Sequence, residues 1–196
     1  LFKDSKYLNQ LVEALVKKHP MIKSVFKVIS KPTKNNPFFS DAPIKLFGKD
    51  TIDTKLGDYT FDLKPEAFFQ LNHHQADQFY LKMKELARLK KDEVAVDAYA
   101  GVAPVSHYIA SDCKKVYAIE LNESSCESAR LSLERNKIDN VVVLQSDFNR
   151  ALNGLKETQI DVMFFDPPRT GLGDDTIELI LKFKPNRLIY GSCNPS

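Results

Sequence analysis

The feature that most constrains this chain is a rhythm that begins after Pro65. Apolar runs of strand length recur there with helical segments between them. VAVDAY (94–99), KVYAIE (115–120), VVVLQSD (141–147), IDVMFFD (160–166) and RLIYGSC (187–193) read as five strands, and helical patterns fall near 73–89, 105–110, 123–135 and 174–183. Strands this apolar must be covered on both faces. Alternation with helices therefore predicts an α/β fold, a doubly wound parallel sheet with its ligand at the carboxyl ends of the strands. Before Pro65 the grain differs. Residues 5–18 place Leu8, Leu11, Val12, Leu15 and Val16 on one helical stripe, and 22–29 alternate as a strand. Pro-rich 31–37 reads as a loop, and IKLFG, TIDTKLG and YTFDL predict a small antiparallel meander turning at Gly48-Lys49-Asp50 and Gly57-Asp58. The expected organisation is a small α+β appendage over 1–64 and a larger domain over 65–196.

Composition removes several classes. With 43% hydrophobic and 28% charged residues the 196-residue chain is neither disordered nor fibrous. It contains no run of about 18 uncharged apolar residues, so no membrane span is expected. No secretory leader is visible, although the chain begins at Leu1 rather than Met. Three cysteines, Cys113, Cys126 and Cys193, make no even disulfide framework and show no CxxC spacing. A cytoplasmic protein is expected, with no metal site and no iron–sulfur cluster in this segment. Charge is uneven: residues 1–60 hold 11 Lys against 6 acids, while the remainder is net negative. A basic front suits a polyanionic partner, and a plainly solvated lysine surface is the bland alternative.

The strand ends carry the chemistry. A small-residue turn, Asp97-Ala98-Tyr99-Ala100-Gly101-Val102-Ala103, follows the first strand of the rhythm and lets a ligand approach the backbone, with Pro104 suited to the first position of a helix. Its single glycine excludes the dinucleotide GxGxxG. Glu120 ends the second strand, where a carboxylate can accept the hydroxyls of a ribose, and Asp147 ends the third, within reach of an adenine amino group. Each acid alone reads equally as a helix cap; three in successive units outline an adenosine pocket. Asp166-Pro167-Pro168-Arg169 forms a rigid turn that aims the Asp166 carboxylate above the sheet, with Arg169 able to meet a phosphate. Ser192-Cys193-Asn194-Pro195 sets a cysteine at the crevice mouth, whereas Cys113 and Cys126 read as buried spectators. In Phe68-Phe69-Gln70-Leu71-Asn72 the aromatics read as core, and Gln70 offers both donor and acceptor.

Taken together, FFQLN, DAYAGVA, VYAIELNE, FFDPPRTGL and IYGSCNP, in order between Leu46 and Ser196, resemble the RNA uracil-5-methyltransferase family, whose members make 5-methyluridine in ribosomal or transfer RNA. The resemblance implies a Rossmann-like fold dependent on S-adenosyl-L-methionine, with cofactor contacts at Gln70, Tyr99, Glu120 and Asp166 and with Asp147 near the adenine. It makes Cys193 the nucleophile that adds to carbon 6 of uracil, has Asp166 orient the base, and implies an RNA partner, ribosomal rather than transfer, met by a monomer. Two departures stand out. Ala103 replaces a second glycine of the turn, which predicts a methyl group against the methionine end of the cofactor. The family's catalytic glutamate falls beyond SCNP, so a C-terminally truncated fragment is expected. Two other readings remain open: an amino-group methyltransferase of RNA, which shares an acid–Pro–Pro turn, and a non-catalytic RNA-binding relative.

Overall fold

The computed structural model describes residues 6–28, 42–156, 158–167 and 171–192. The rhythm after Pro65 folds into one parallel sheet. β5 (Val94–Ala98), β6 (Lys115–Glu120), β7 (Val141–Gln145), β8 (Val162–Phe165) and β9 (Arg187–Tyr190) lie in the order β7-β6-β5-β8-β9. The chain runs outward from β5 to β7 and returns to the other side at β8. A topological switch therefore opens between neighbouring strand ends, where α/β sheets bind ligands. β8 shows why both faces are covered: Val162, Met163, Phe164 and Phe165 are all fully buried. Val162 and Phe164 face α2 (His73–Ala87) and α3 (Pro104–Ile109), while Met163 and Phe165 face α5 (Phe148–Gly154) and α6 (Asp174–Phe183). This period of two is the pleat of a strand buried on both sides.

Upstream, α1 (Lys6–Lys18) precedes β1 (Ser24–Lys27), β2 (Ile44–Gly48), β3 (Ile52–Leu56) and β4 (Tyr59–Leu63). The expected meander is instead two separate ribbons, β1–β2 and β3–β4. Gly48 explains the break. At φ +83° it sits opposite Ser24 at the end of the β1–β2 ribbon, so near Lys23 that a Cβ there would stand 2.0 Å from the Lys23 carbonyl oxygen, and the left-handed backbone turns the chain out of that ribbon. β3–β4 closes through Gly57-Asp58, with φ +55° at Gly57, as a two-residue turn led by glycine prefers. This hairpin docks on α4 (Glu123–Arg135). Arg135 donates to both Asp62 oxygens at 2.6 and 2.7 Å, Asn136 exchanges hydrogen bonds with the Thr60 backbone, and the Asp62 amide donates to Ser132 Oγ at 2.9 Å. Leu56 and Phe61 thereby enter the same core as the sheet.

One helix was not expected. α5 is seven residues long, FNRALNG, too short and too rich in Asn and Gly to show a helical period, and the Asp147 side chain starts it by accepting from the Arg150 amide at 3.2 Å. No helix among the described residues is long and apolar enough to cross a membrane.

Candidate functional site

The site is built at the end of β5. Three of the next five residues adopt left-handed backbone: Tyr99 (φ +56°), Gly101 (φ +56°) and Ala103 (φ +61°). For non-glycine residues this costs about 1–2 kcal/mol each. The turn is held from below. The Ala100 amide donates to the Ile119 carbonyl at 3.0 Å and the Ala103 amide to the Ala100 carbonyl at 2.7 Å, after which Pro104 opens α3. A Cβ on Gly101 would meet nothing within 4 Å, so it is conformation and not crowding that asks for glycine there. The predicted obstruction by Ala103 does not occur. Its methyl is fully buried in a cluster with Ala100, Ala118 and Ala129, and Ala103 does not line the adjoining cleft.

Around this turn lies a narrow cleft of about 80 Å³ lined by Gln70, Tyr80, Asp97, Tyr99, Gly101 and Asp166, among others. The fold thus brings Gln70, Tyr99 and Asp166 together from a loop before α2, the end of β5 and the end of β8. A larger hollow of about 610 Å³ lies by Lys156, Ile160 and Phe183. It opens at the amino ends of β8 and β9, the edge of a parallel sheet that does not form ligand sites, so the smaller cleft is the functional candidate.

Asp97 is buried, and its Oδ2 accepts from the Ser106 amide at 3.0 Å and the Ser106 hydroxyl at 2.6 Å. Loss of solvent pushes its carboxyl up to about 7, against the lowering effect of the two Ser106 bonds and with help from the charges of Asp166 and Glu120. Asp166 is raised by burial as well. Glu120 stands beside the cleft and staples β6 to the turn: Oε2 accepts from the Gly101 amide at 2.9 Å, and Oε1 from the Leu121 and Asn122 amides at 2.8 and 2.7 Å. Asp147 is exposed at the head of α5. Phe69 packs on the core as expected, but Phe68 is 70% exposed on the cleft rim and is not a core residue. Cys193 and Arg169 lie outside the described residues. Cys113 and Cys126 are buried thiols pushed up to about 11, chiefly by burial, so they are poor nucleophiles. Among the described residues no cluster of three or more His, Cys, Asp or Glu is arranged to hold a metal.

Tyr80 is a cleft residue that sequence reasoning missed. Burial and the charges of Asp166 and Asp97 keep its hydroxyl protonated, so it is a permanent donor in an acidic cleft. The signal was present: Ala76, Tyr80, Met83 and Ala87 form the buried stripe of α2 at helical spacing.

A parallel sheet in this order, with an acidic and aromatic cleft over its switch point, is the architecture of Rossmann-like methyltransferases. The solved structure of Pyrococcus abyssi tRNA (uracil-54, C5)-methyltransferase, in complex with S-adenosyl-L-homocysteine, superposes with a TM-score of 0.70 at 25% identity over 92% of this chain and 43% of that one. The M. jannaschii tRNA m1G37 methyltransferase shares the fold alone, with a TM-score of 0.51 at 20% identity over 92% of this chain and 51% of that one. Residues 45–196 match the family model described as tRNA (uracil-5-)-methyltransferase, and the chain belongs to that family. An uncharacterized RNA methyltransferase of Oceanobacillus iheyensis is 34% identical over 96% of the chain, and one of Clostridium tetani is 36% identical over 83%. The chain spans 41% and 36% of the lengths of these two relatives.

Proposed function

We propose that the protein transfers a methyl group from S-adenosyl-L-methionine to carbon 5 of a uridine in RNA, ribosomal RNA in particular, through a covalent adduct on Cys193. The observation that carries this reading is the family match over residues 45–196. The cleft fits the donor chemically. Glu120 already receives three amide bonds, and a carboxylate has roughly four lone-pair sites, which leaves one for a ribose hydroxyl. The buried Asp97 and the half-buried Asp166 suit a cationic end, and Tyr99 beside the open backbone of Gly101 suits a flat ring. When bound, the cofactor supplies an electrophilic methyl group.

The remaining chemistry falls to the chain and the base. Carbon 5 of uracil is too weak a nucleophile unaided. Addition of the Cys193 thiolate to carbon 6 forms an S–C bond and pushes an electron pair toward carbon 5, which takes the methyl group. Removal of the carbon 5 proton by a base then expels the thiolate and restores the double bond. Asp166, held in a poorly solvated turn, orients the ring by its nitrogen edge. The uridine must be single-stranded or flipped to enter. RNA carrying 5-fluorouridine tests the sequence directly, because fluorine cannot leave as a proton. The intact protein is expected to form a denaturant-resistant conjugate with this RNA, and Cys193→Ala to abolish both the conjugate and methyl transfer. Methyl transfer retained by Cys193→Ala would exclude the uracil mechanism and favour an amino-group methyltransferase.

A further inference from the structure

Beneath the left-handed turn lies a side chain that neither the motif nor the chemistry above uses. His107 is fully buried in α3, the other three histidines of the chain being exposed. Its Nδ1 stands 2.7 Å from the Ala103 carbonyl oxygen, which also receives the His107 backbone amide at 3.1 Å. A carbonyl only accepts, so Nδ1 carries the proton. Burial lowers the pKa of the ring, the Ala103 carbonyl acts against that shift, and the buried Nε2 has no hydrogen-bond partner among the described residues. The ring is clamped from the other side by the β3–β4 hairpin: the Phe61 centroid is 4.5 Å away and the Tyr59 centroid 5.6 Å, the latter edge-on. Ala103 has no side-chain cap and is not a glycine, yet it holds φ +61° directly after Gly101 and Val102, which line the cleft.

We propose that His107 is a positioning residue for the cofactor turn, whose Nδ1–H, given to the Ala103 carbonyl, fixes residues 99–103 in their binding shape and ties them to the β3–β4 hairpin. The proposal rests on the reading of the cleft as the donor site. A ring present only to fill the core would need its shape and not its N–H, and two substitutions separate these roles. His107→Phe keeps an aromatic ring against Phe61 and Tyr59 but removes the donor. His107→Asn loses the ring but places an amide N–H near the Nδ1 position.

Calorimetric binding of S-adenosyl-L-homocysteine to the intact protein is the readout, with folding checked by circular dichroism. His107→Phe is expected to weaken binding by about tenfold, the worth of one buried hydrogen bond, and His107→Asn to recover most of it. Equal affinity of His107→Phe and the wild type, or His107→Asn as the weaker variant, would overturn the positioning role. If neither variant folds, nitrogen NMR of the wild-type imidazole decides. Ligand addition should move the Nδ1–H resonance of the buried histidine, and an unmoved resonance during saturable binding rejects the proposal. A folded wild type that does not bind the ligand rejects the donor-site reading itself, and this inference with it.

Discussion

Single residues in this molecule are governed by backbone geometry and lost solvation. Gly101 sits in open space, so Gly101→Ala isolates the cost of left-handed backbone. It should lower stability by about 1–2 kcal/mol, read as a shift of the urea midpoint at constant slope. Asp97 tests solvation. Its carboxyl rises in the fold to about 7 from an ordinary value near 4, so the folded state holds a proton that the unfolded chain has released between these values. This contribution is therefore complete below about pH 4 and lost as pH climbs through 7. Asp97→Asn, which can still accept from Ser106, should flatten the fall in melting temperature between pH 5 and 8, and an unchanged slope would place the titration elsewhere. The motif showed Asp97 and Gly101 as a cluster. It did not show that Asp97 spends its Oδ2 on Ser106, because that partner comes from a helix whose position the sheet decides.

Among elements, the β3–β4 hairpin is the informative one. Asp62 is nearly buried and its charge is answered by Arg135, a bidentate partner on α4 whose side chain remains 47% exposed. Arg135→Ala leaves that carboxylate without its counter-charge and should cost about 2–3 kcal/mol. Hydrogen exchange is expected to rise first at Asp62 and Thr60, whose amides donate to Ser132 and Asn136 of the same helical end. Uniform exchange across the whole chain would show that the hairpin is not a separate unit of opening. At the other edge, the Gly191 amide donates to the Phe165 carbonyl at 2.8 Å, and a Cβ there would fall 2.5 Å from the tip of the Phe79 ring. Gly191→Ala should cost about 1–3 kcal/mol by overpacking, and adding Phe79→Leu should return part of it. Two ribbons stand where the sequence predicts one meander because strand-like alternation says which residues face inward, not which ribbon they join. The short α5 was invisible because seven residues give less than two full turns of pattern.

At the scale of the whole molecule, the basic front and the acidic cleft fit the proposed function, in which a polyanion meets the first and a cationic donor the second. Lys17, Lys18, Lys49 and Lys55 stay exposed on the amino-terminal elements. RNA binding by the intact protein should thus weaken steeply with salt, and Lys17→Glu together with Lys18→Glu should reduce the slope of log K against log salt. An unchanged slope would move the RNA footprint to other parts of the molecule. The sequence by itself determined the strand–helix alternation, the acids at the strand ends and the motifs that mark the family, because each is a local property of spacing and residue type. The tertiary structure alone decided that Tyr80 reaches the cleft, that Phe68 stands outside the core, that Ala103 is buried and does not line the cleft, and that His107 touches both the β3–β4 hairpin and the turn after β5. Those facts depend on how separate elements are stacked across the sheet, and stacking is fixed by packing among residues far apart in the chain.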